Sequence, residues 1–148
     1  MSRFTYDVES SPGYWLAIAN HSLEKAFNEE LAPHGITIRQ AQVIGWLVVE
    51  PDISQAGLAR RMRIEAPTLH GILARMERDG WIEREPSAED RRCNRLRPSE
   101  KIRPEWERVV ACARRVEERA TRGLSAEQLE TLKRTVVAIR GNLEEPTA

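Results

Sequence analysis

The residues best equipped for chemistry lie in one short stretch, SAEDRRCNRLR, residues 87–97. Arg91, Arg92, Arg95 and Arg97 fall within seven residues, directly behind Glu89 and Asp90. A guanidinium is a permanent planar cation that grips a phosphate or a base edge through two parallel N–H bonds. A carboxylate such as Asp90 can hold Arg91 or Arg92 in one orientation; the alternative is an exposed ion pair of little energetic weight. The chain carries 23 basic and 23 acidic residues, so the cluster is not a by-product of a basic composition. Residues 1–53 hold three basic and seven acidic groups, whereas residues 54–98 hold ten and seven. The expectation is a polyanion partner for the middle of the chain.

Other chemistries have less behind them. The three histidines and two cysteines show no metal-ligand spacing, and no Ser/His/Asp or Cys/His set suggests itself. No enzymatic activity, metal or cofactor is expected. Cys93 stands between Arg92 and Arg95, where cations favour the thiolate, so a redox-responsive site is one alternative. Cys112, on an apolar stretch, reads as a small core residue. Two cysteines 19 residues apart form no disulfide framework and suit a reducing cytosol. The N-terminal MSRFTYDVESSPG lacks the basic-then-apolar order of a signal peptide. No apolar run approaches the roughly 18 residues of a membrane span, so a cytoplasmic protein without a membrane partner is expected.

The elements that must position these residues follow from apolar spacing and helix-end chemistry. Residues 13–33 read as a helix with a double apolar stripe, wider than one core face requires. Thr37 with Gln40 forms a capping box that starts the next helix. Its centre, Val43-Ile44-Gly45-Trp46-Leu47-Val48-Val49, is apolar all round and is expected to be buried on every side. Ser54 caps a short helix to about Met62. A second runs over residues 66–79, with Pro67 in its first turn and Gly80 as its stop. Leu69, Ile72, Leu73 and Met76 face inward there, leaving Thr68, His70, Gly71, Ala74, Arg75 and Arg78 outward. Two such helices form a helix-turn-helix candidate. Residues 81–84 and 94–97 read as a hairpin around a turn, which makes the unit a winged helix with arginines on its wing.

Two further helices end the chain, the first beginning at Arg103 because Pro104 belongs in a first turn. Ser125 with Gln128 caps the second, whose Leu129, Leu132, Val136, Ile139 and Leu143 make a heptad seam. A homodimer interface built from both termini, including Trp15 and Ile18, is expected; packing within one chain is the alternative.

Asp79-Gly80-Trp81-Ile82-Glu83-Arg84, a short spacer, Asp90-Arg91-Arg92 and then Ser99-Glu100-Lys101 resemble the MarR family of bacterial transcriptional regulators. Gly35-Ile36-Thr37 with Gln40, and Ser54-Gln55 with Leu58-Ala59, match as well, so the resemblance covers nearly the whole chain. It implies a mainly α fold with a small β-hairpin wing (α+β): one MarR-type domain over residues 1–148. Its winged helix-turn-helix lobe would span 37–98, flanked by dimerisation helices at 13–33 and 103–145. It further implies a homodimer on double-stranded DNA at a pseudo-palindromic operator, usually as a repressor. A small aromatic or anionic effector would enter a cleft between the dimer helices and the lobe.

Carried onto this sequence, the DNA side comprises Ser54, Gln55, Pro67, Thr68, His70, Gly71, Arg75, Asp90, Arg91 and Arg92. For His70 the alternative is a solvated surface histidine. Trp15 and Trp46 are candidates for the effector cleft, with core packing as the other reading. Three departures from the family pattern matter. His70-Gly71 replaces a threonine and an arginine, leaving Arg75 as the long donor; Gly57 replaces a capping glutamate; and Ile102 replaces a glycine. Two alternatives from other classes are a winged-helix protein-interaction module without DNA binding and an enzyme's dimerisation domain. No cofactor-binding stretch follows to favour the latter.

Overall fold

Three helix starts in this chain, at Thr37, Ser54 and Ser125, are set by side chains that satisfy backbone groups the helix itself leaves free. The computed structural model describes residues 7–86 and 94–144. Its order is α1 (Pro12–Leu31), a 3-10 turn (Ala32–His34), α2 (Ile38–Val49), α3 (Gln55–Met62) and α4 (Ala66–Arg78). Then come β1 (Ile82–Pro86), β2 (Asn94–Pro98), α5 (Ile102–Ala120) and α6 (Ala126–Glu144). The Thr37 hydroxyl accepts from the Gln40 N–H at 3.2 Å while the Gln40 side chain accepts from the Thr37 N–H at 2.9 Å. Ser54 accepts from the Gly57 N–H at 3.0 Å. Ser125 and Gln128 complete a second reciprocal box, at 2.8 and 3.2 Å.

The chain divides into two compact units, residues up to Val116 and residues from Glu117. In the first, one core gathers Leu31 and Ile36, then Val43, Ile44 and Leu47 of α2, Leu58 of α3, and Leu69, Leu73 and Met76 of α4. It closes with Ile82 and Leu96 of the hairpin and Ile102, Val109 and Cys112 of α5. Cys112 is the buried core residue expected: its thiol donates to the Glu30 carbonyl, and Arg115 binds the Glu30 carboxylate at 2.7 Å. That carboxylate raises the affinity of the Arg115 guanidinium for its proton above its usual range.

Three sequence expectations need correction. The apolar helix α2 is not buried on every side, because Val48 is 44% and Val49 73% exposed. Only its Val43, Ile44 and Leu47 side is fully enclosed, while Trp106 of α5 lies over Gly45. An all-apolar sequence sets no inward face of its own, and the neighbours choose one. Helix α5 begins at Ile102 rather than Arg103: the Ile102 N–H bonds the Ser99 carbonyl, and the Ile102 side chain enters the core. Gly57 is more than a lost capping partner. A Cβ there would stand 3.2 Å from both Ile53 Cγ1 and Ser54 Oγ, tighter than ordinary packing.

The apolar stripes at the two ends are open. In α1 only Leu31 is buried, and Trp15, Ile18 and Leu23 are exposed. In α6 no residue is buried; Leu132, Val136 and Leu143 are exposed, with Leu129 and Ile139 half-buried. No described helix is long and apolar enough to cross a membrane.

Candidate nucleic-acid interface

Helix α4 divides cleanly by its 3.6-residue period. Leu69, Ile72, Leu73 and Met76 are buried, at 4% exposure or less, and fix the helix to the core. Pro67, Thr68, His70, Gly71, Ala74, Arg75 and Arg78 are all exposed. Nothing lies within 4 Å of where a Gly71 Cβ would stand, so that part of the face is flat and open to close approach. Arg78 is tied to Asp79 at 3.2 Å, whereas Arg75 enters no ion pair among the described residues. Helix α3 turns into α4 through Arg63, which adopts the left-handed conformation with φ 53°. Gly80, with φ 76°, then releases the chain into the hairpin.

The hairpin is antiparallel, pairing Ile82 with Pro98, Arg84 with Leu96 and Pro86 with Asn94. Ile82 and Leu96 are buried and anchor it to the core. Its base is clamped as well. The Trp81 N–H bonds the Met76 carbonyl, the Ser99 N–H bonds the Trp81 carbonyl, and the Ser99 hydroxyl bonds the Gly80 carbonyl. Ser54, at the start of α3, forms an isolated β-bridge with Arg95 of β2. The helix pair and the wing are therefore joined at the hairpin's base and again near the far end of the paired strands.

Two of the four clustered arginines fall within the described residues. Arg97 pairs with Glu85 across the strands at 2.9 Å, so part of its charge is already answered. Arg95 stands at the Ser54 bridge. Asp90, Arg91, Arg92 and Cys93 lie outside the described residues. Ser54 is half-buried, its hydroxyl engaged with Gly57. Gln55 opens α3, half-buried, and its amide nitrogen is buried with no hydrogen-bond partner. That amide is an unmet donor at the start of α3.

Sequence reading missed Arg84. Strand periodicity puts it on the same face as Ile82, the inward one, where an apolar residue is the ordinary occupant. Its side chain is only 14% exposed. The Nε atom lies 3.1 Å from Glu77 Oε2 yet makes no well-aligned hydrogen bond, so this contact is an ion pair. Its Nη1 lies 3.4 Å from His70 Nδ1. The inward face of the wing thus reaches two residues of α4, both exposed. A guanidinium following Ile82 at a spacing of two is the signal the sequence carries for it.

The two tryptophans have separate neighbours. Trp15, 56% exposed, donates its indole N–H to the Glu9 carbonyl and meets the Tyr14 ring edge-on. Trp46 packs against the core, with the Arg61 guanidinium 5.1 Å from its ring centre. An open groove of about 360 Å³ is lined by Glu50, Ile53, Gly57, Arg60 and Arg61, and neither tryptophan is among them. Among the described residues, no three His, Cys, Asp or Glu side chains gather as a metal site would require.

Comparison with known proteins agrees with this geometry. Residues 34–92 match the family model described as "MarR family". A probable transcriptional regulator from Pseudomonas aeruginosa is similar over 89% of this chain and 98% of its own, at 26% identity and TM-score 0.78. A cysteine-to-serine mutant of MarR from E. coli, solved with operator DNA, is similar at 20% identity and TM-score 0.82. That similarity covers 93% of this chain and 99% of the other. CouR from Rhodococcus jostii, bound to p-coumaroyl-CoA, is similar at 20% identity and TM-score 0.78, over 91% and 95% of the two chains. The last two likenesses concern the fold.

Proposed function

The chain belongs to the MarR family, and on that premise we propose that it is a homodimeric repressor of transcription that binds a pseudo-palindromic operator. The observation that carries this reading is the division of α4: every apolar residue buried, every small, polar or basic one exposed beside the wing. In the proposal, residues 37–98 form the DNA-binding lobe. Pro67, Thr68, His70, Gly71 and Arg75 enter the major groove, where sequence is read from base edges. Ser54 and Gln55 meet the backbone nearby, and Asp90 presents Arg91 and Arg92 to phosphates or a narrow minor groove. The E. coli relative in complex with operator DNA supports the same use of the fold.

The helices at 13–33 and 103–145 hold the dimer. Supporting this are the open stripes, with Trp15 and Ile18 at one end and Leu132, Val136 and Leu143 at the other. Leu129 and Ile139 continue the seam, and Glu127, Glu130, Lys133, Arg134, Arg140 and Glu144 lie among the other α6 positions. A small aromatic or anionic effector releases the DNA, a regulation favoured by the ligand held in the R. jostii relative. Trp15 and Trp46 remain its proposed cleft residues.

The test is to sequence the genomic fragments that the purified protein retains. Enrichment of a few sites with half-site centres about one helical turn (~10 bp) apart is the expected result. Uniform retention with no enriched site would overturn sequence-specific regulation. Failure to retain DNA at low salt would favour a protein-interaction module instead.

A further inference from the structure

We infer that Arg84 is a positioning residue for His70: it fixes the imidazole as a hydrogen-bond donor toward the groove, so the base facing it must offer an acceptor. This rests on the DNA-binding reading above and adds which chemistry one recognition position selects.

Arg84 Nη1 stands 3.4 Å from His70 Nδ1. A guanidinium has five N–H donors and no acceptor, so in this contact Nδ1 must be the acceptor. The single ring proton of the neutral imidazole therefore sits on Nε2, across the ring from the arginine. Arg84 does not drift with its partner. Its side chain is 14% exposed, and its Nε lies 3.1 Å from Glu77 Oε2. Glu77 follows His70 by seven residues, two helical turns, so both lie on the same side of α4. One largely covered cation is thus fixed between an anchoring carboxylate and a histidine whose residue is exposed. His70 takes part in both the supporting contact and the open face formed with Thr68, Gly71 and Arg75.

An imidazole so held can offer one N–H and nothing else. In the major groove guanine presents two acceptors, N7 and O6, adenine presents N7 beside an amine, and thymine presents O4. Cytosine presents only its N4 amine. The position facing His70 should therefore favour guanine and reject cytosine. Without Arg84 the imidazole can take either tautomer, accept from the cytosine amine as readily as donate, and lose that discrimination.

The experiment is selection from a random-sequence duplex library with the full-length protein as wild type, H70A, R84Q and R84K. The wild type should show, at one position per half-site, guanine over cytosine by about tenfold, a value suited to a single rather than bidentate contact. H70A should erase the preference at that position and leave the others. R84Q should flatten the same position only, since a glutamine amide can donate to or accept from Nδ1. R84K, a donor-only cation, should restore it. A merely structural arginine would lower affinity at all positions together. Long-range nitrogen–proton NMR of the free wild type gives a reading independent of any variant's folding: the His70 proton must be on Nε2.

The proposal is overturned by a proton on Nδ1, by cytosine preferred at the position lost in H70A, or by a preference unchanged in R84Q. A library enriched to the same consensus by H70A and wild type overturns it while leaving the DNA-binding reading intact. A library that enriches no sequence overturns that reading, and this inference with it.

Discussion

Replacing Arg75 with alanine separates base reading from general attraction to DNA, and the structure sets the expected size of each effect. Arg75 follows Gly71 by four residues and Thr68 by seven, so the three form one stripe along the outward side of α4. Arg78 is engaged by Asp79, Arg84 by Glu77 and Arg97 by Glu85, which leaves Arg75 as the helix's unengaged long donor among the described residues. Its exposure means that truncation removes no core packing, so stability should change by no more than about 0.5 kcal/mol. A bidentate arginine–guanine contact is worth about 1–3 kcal/mol. With one per half-site, the dimer should lose ~2–6 kcal/mol on its operator, or about 30-fold to 20,000-fold in affinity. A scrambled duplex should lose far less. The assay is fluorescence anisotropy over a salt series, with an operator taken from the retained genomic fragments and a scrambled control. If Arg75→Ala weakens both duplexes equally and flattens the log–log salt slope by about two, the contact is to phosphate and the reasoning is wrong.

Gly71→Ala should stabilise the free protein by about 0.5–1 kcal/mol, since nothing lies within 4 Å of the new methyl group. It should nonetheless weaken operator binding by interrupting close approach; a urea melt and anisotropy check the two halves, and unchanged affinity refutes the second. Leu132→Glu with Val136→Glu places charges in the open seam of α6, and sedimentation should show the dimer dissociated or the protein unfolded. A folded monomer at micromolar concentration in the unmodified protein would dispose of the dimer proposal. Arg92→Ala should reduce the salt slope by about two units per dimer if each subunit loses one phosphate contact. Unchanged affinity and slope in Arg91→Ala, Arg92→Ala and their combination would leave that cluster as a solvated strand face. Inserting five base pairs between half-sites turns them about half a helical turn apart and should abolish tight binding. Retained affinity would mean independent lobes.

Much of the fold was legible because its information is local. A capping box needs only two residues three apart, and Thr37–Gln40 and Ser125–Gln128 both form as read. The α4 division was legible too, since a 3.6-residue period survives in a 13-residue helix. The all-apolar α2 shows where locality ends. Its sequence allows any face to turn inward, and only the surrounding helices leave Val48 and Val49 in the open. The early start of α5 was missed for a related reason. Proline chemistry permits a first turn at several registers, and the pull of Ile102 into the core decides among them.

The site was less legible than the fold, because its supports cross between elements. Arg84 and His70 are 14 residues apart, on a strand and a helix, and neither residue's local pattern mentions the other. The same is true of Ser54 and Arg95, and of Ser99 and Gly80. Read alone, Arg84 is one more cation near a basic wing, and the natural inference is that it faces DNA. Its burial says otherwise. A cation at 14% exposure persists because Glu77 compensates it, and removing that carboxylate would leave a largely desolvated charge behind. The contact that protects the arginine also determines what it can do for its neighbour: once pinned, it presents only donors to His70. Specificity at an exposed position of α4 would then be decided in part by a residue on the wing's inward face. It follows that a substitution at Arg84 or Glu77 could change which sequence is bound without touching DNA, whereas exchanging the exposed Arg78 should change little.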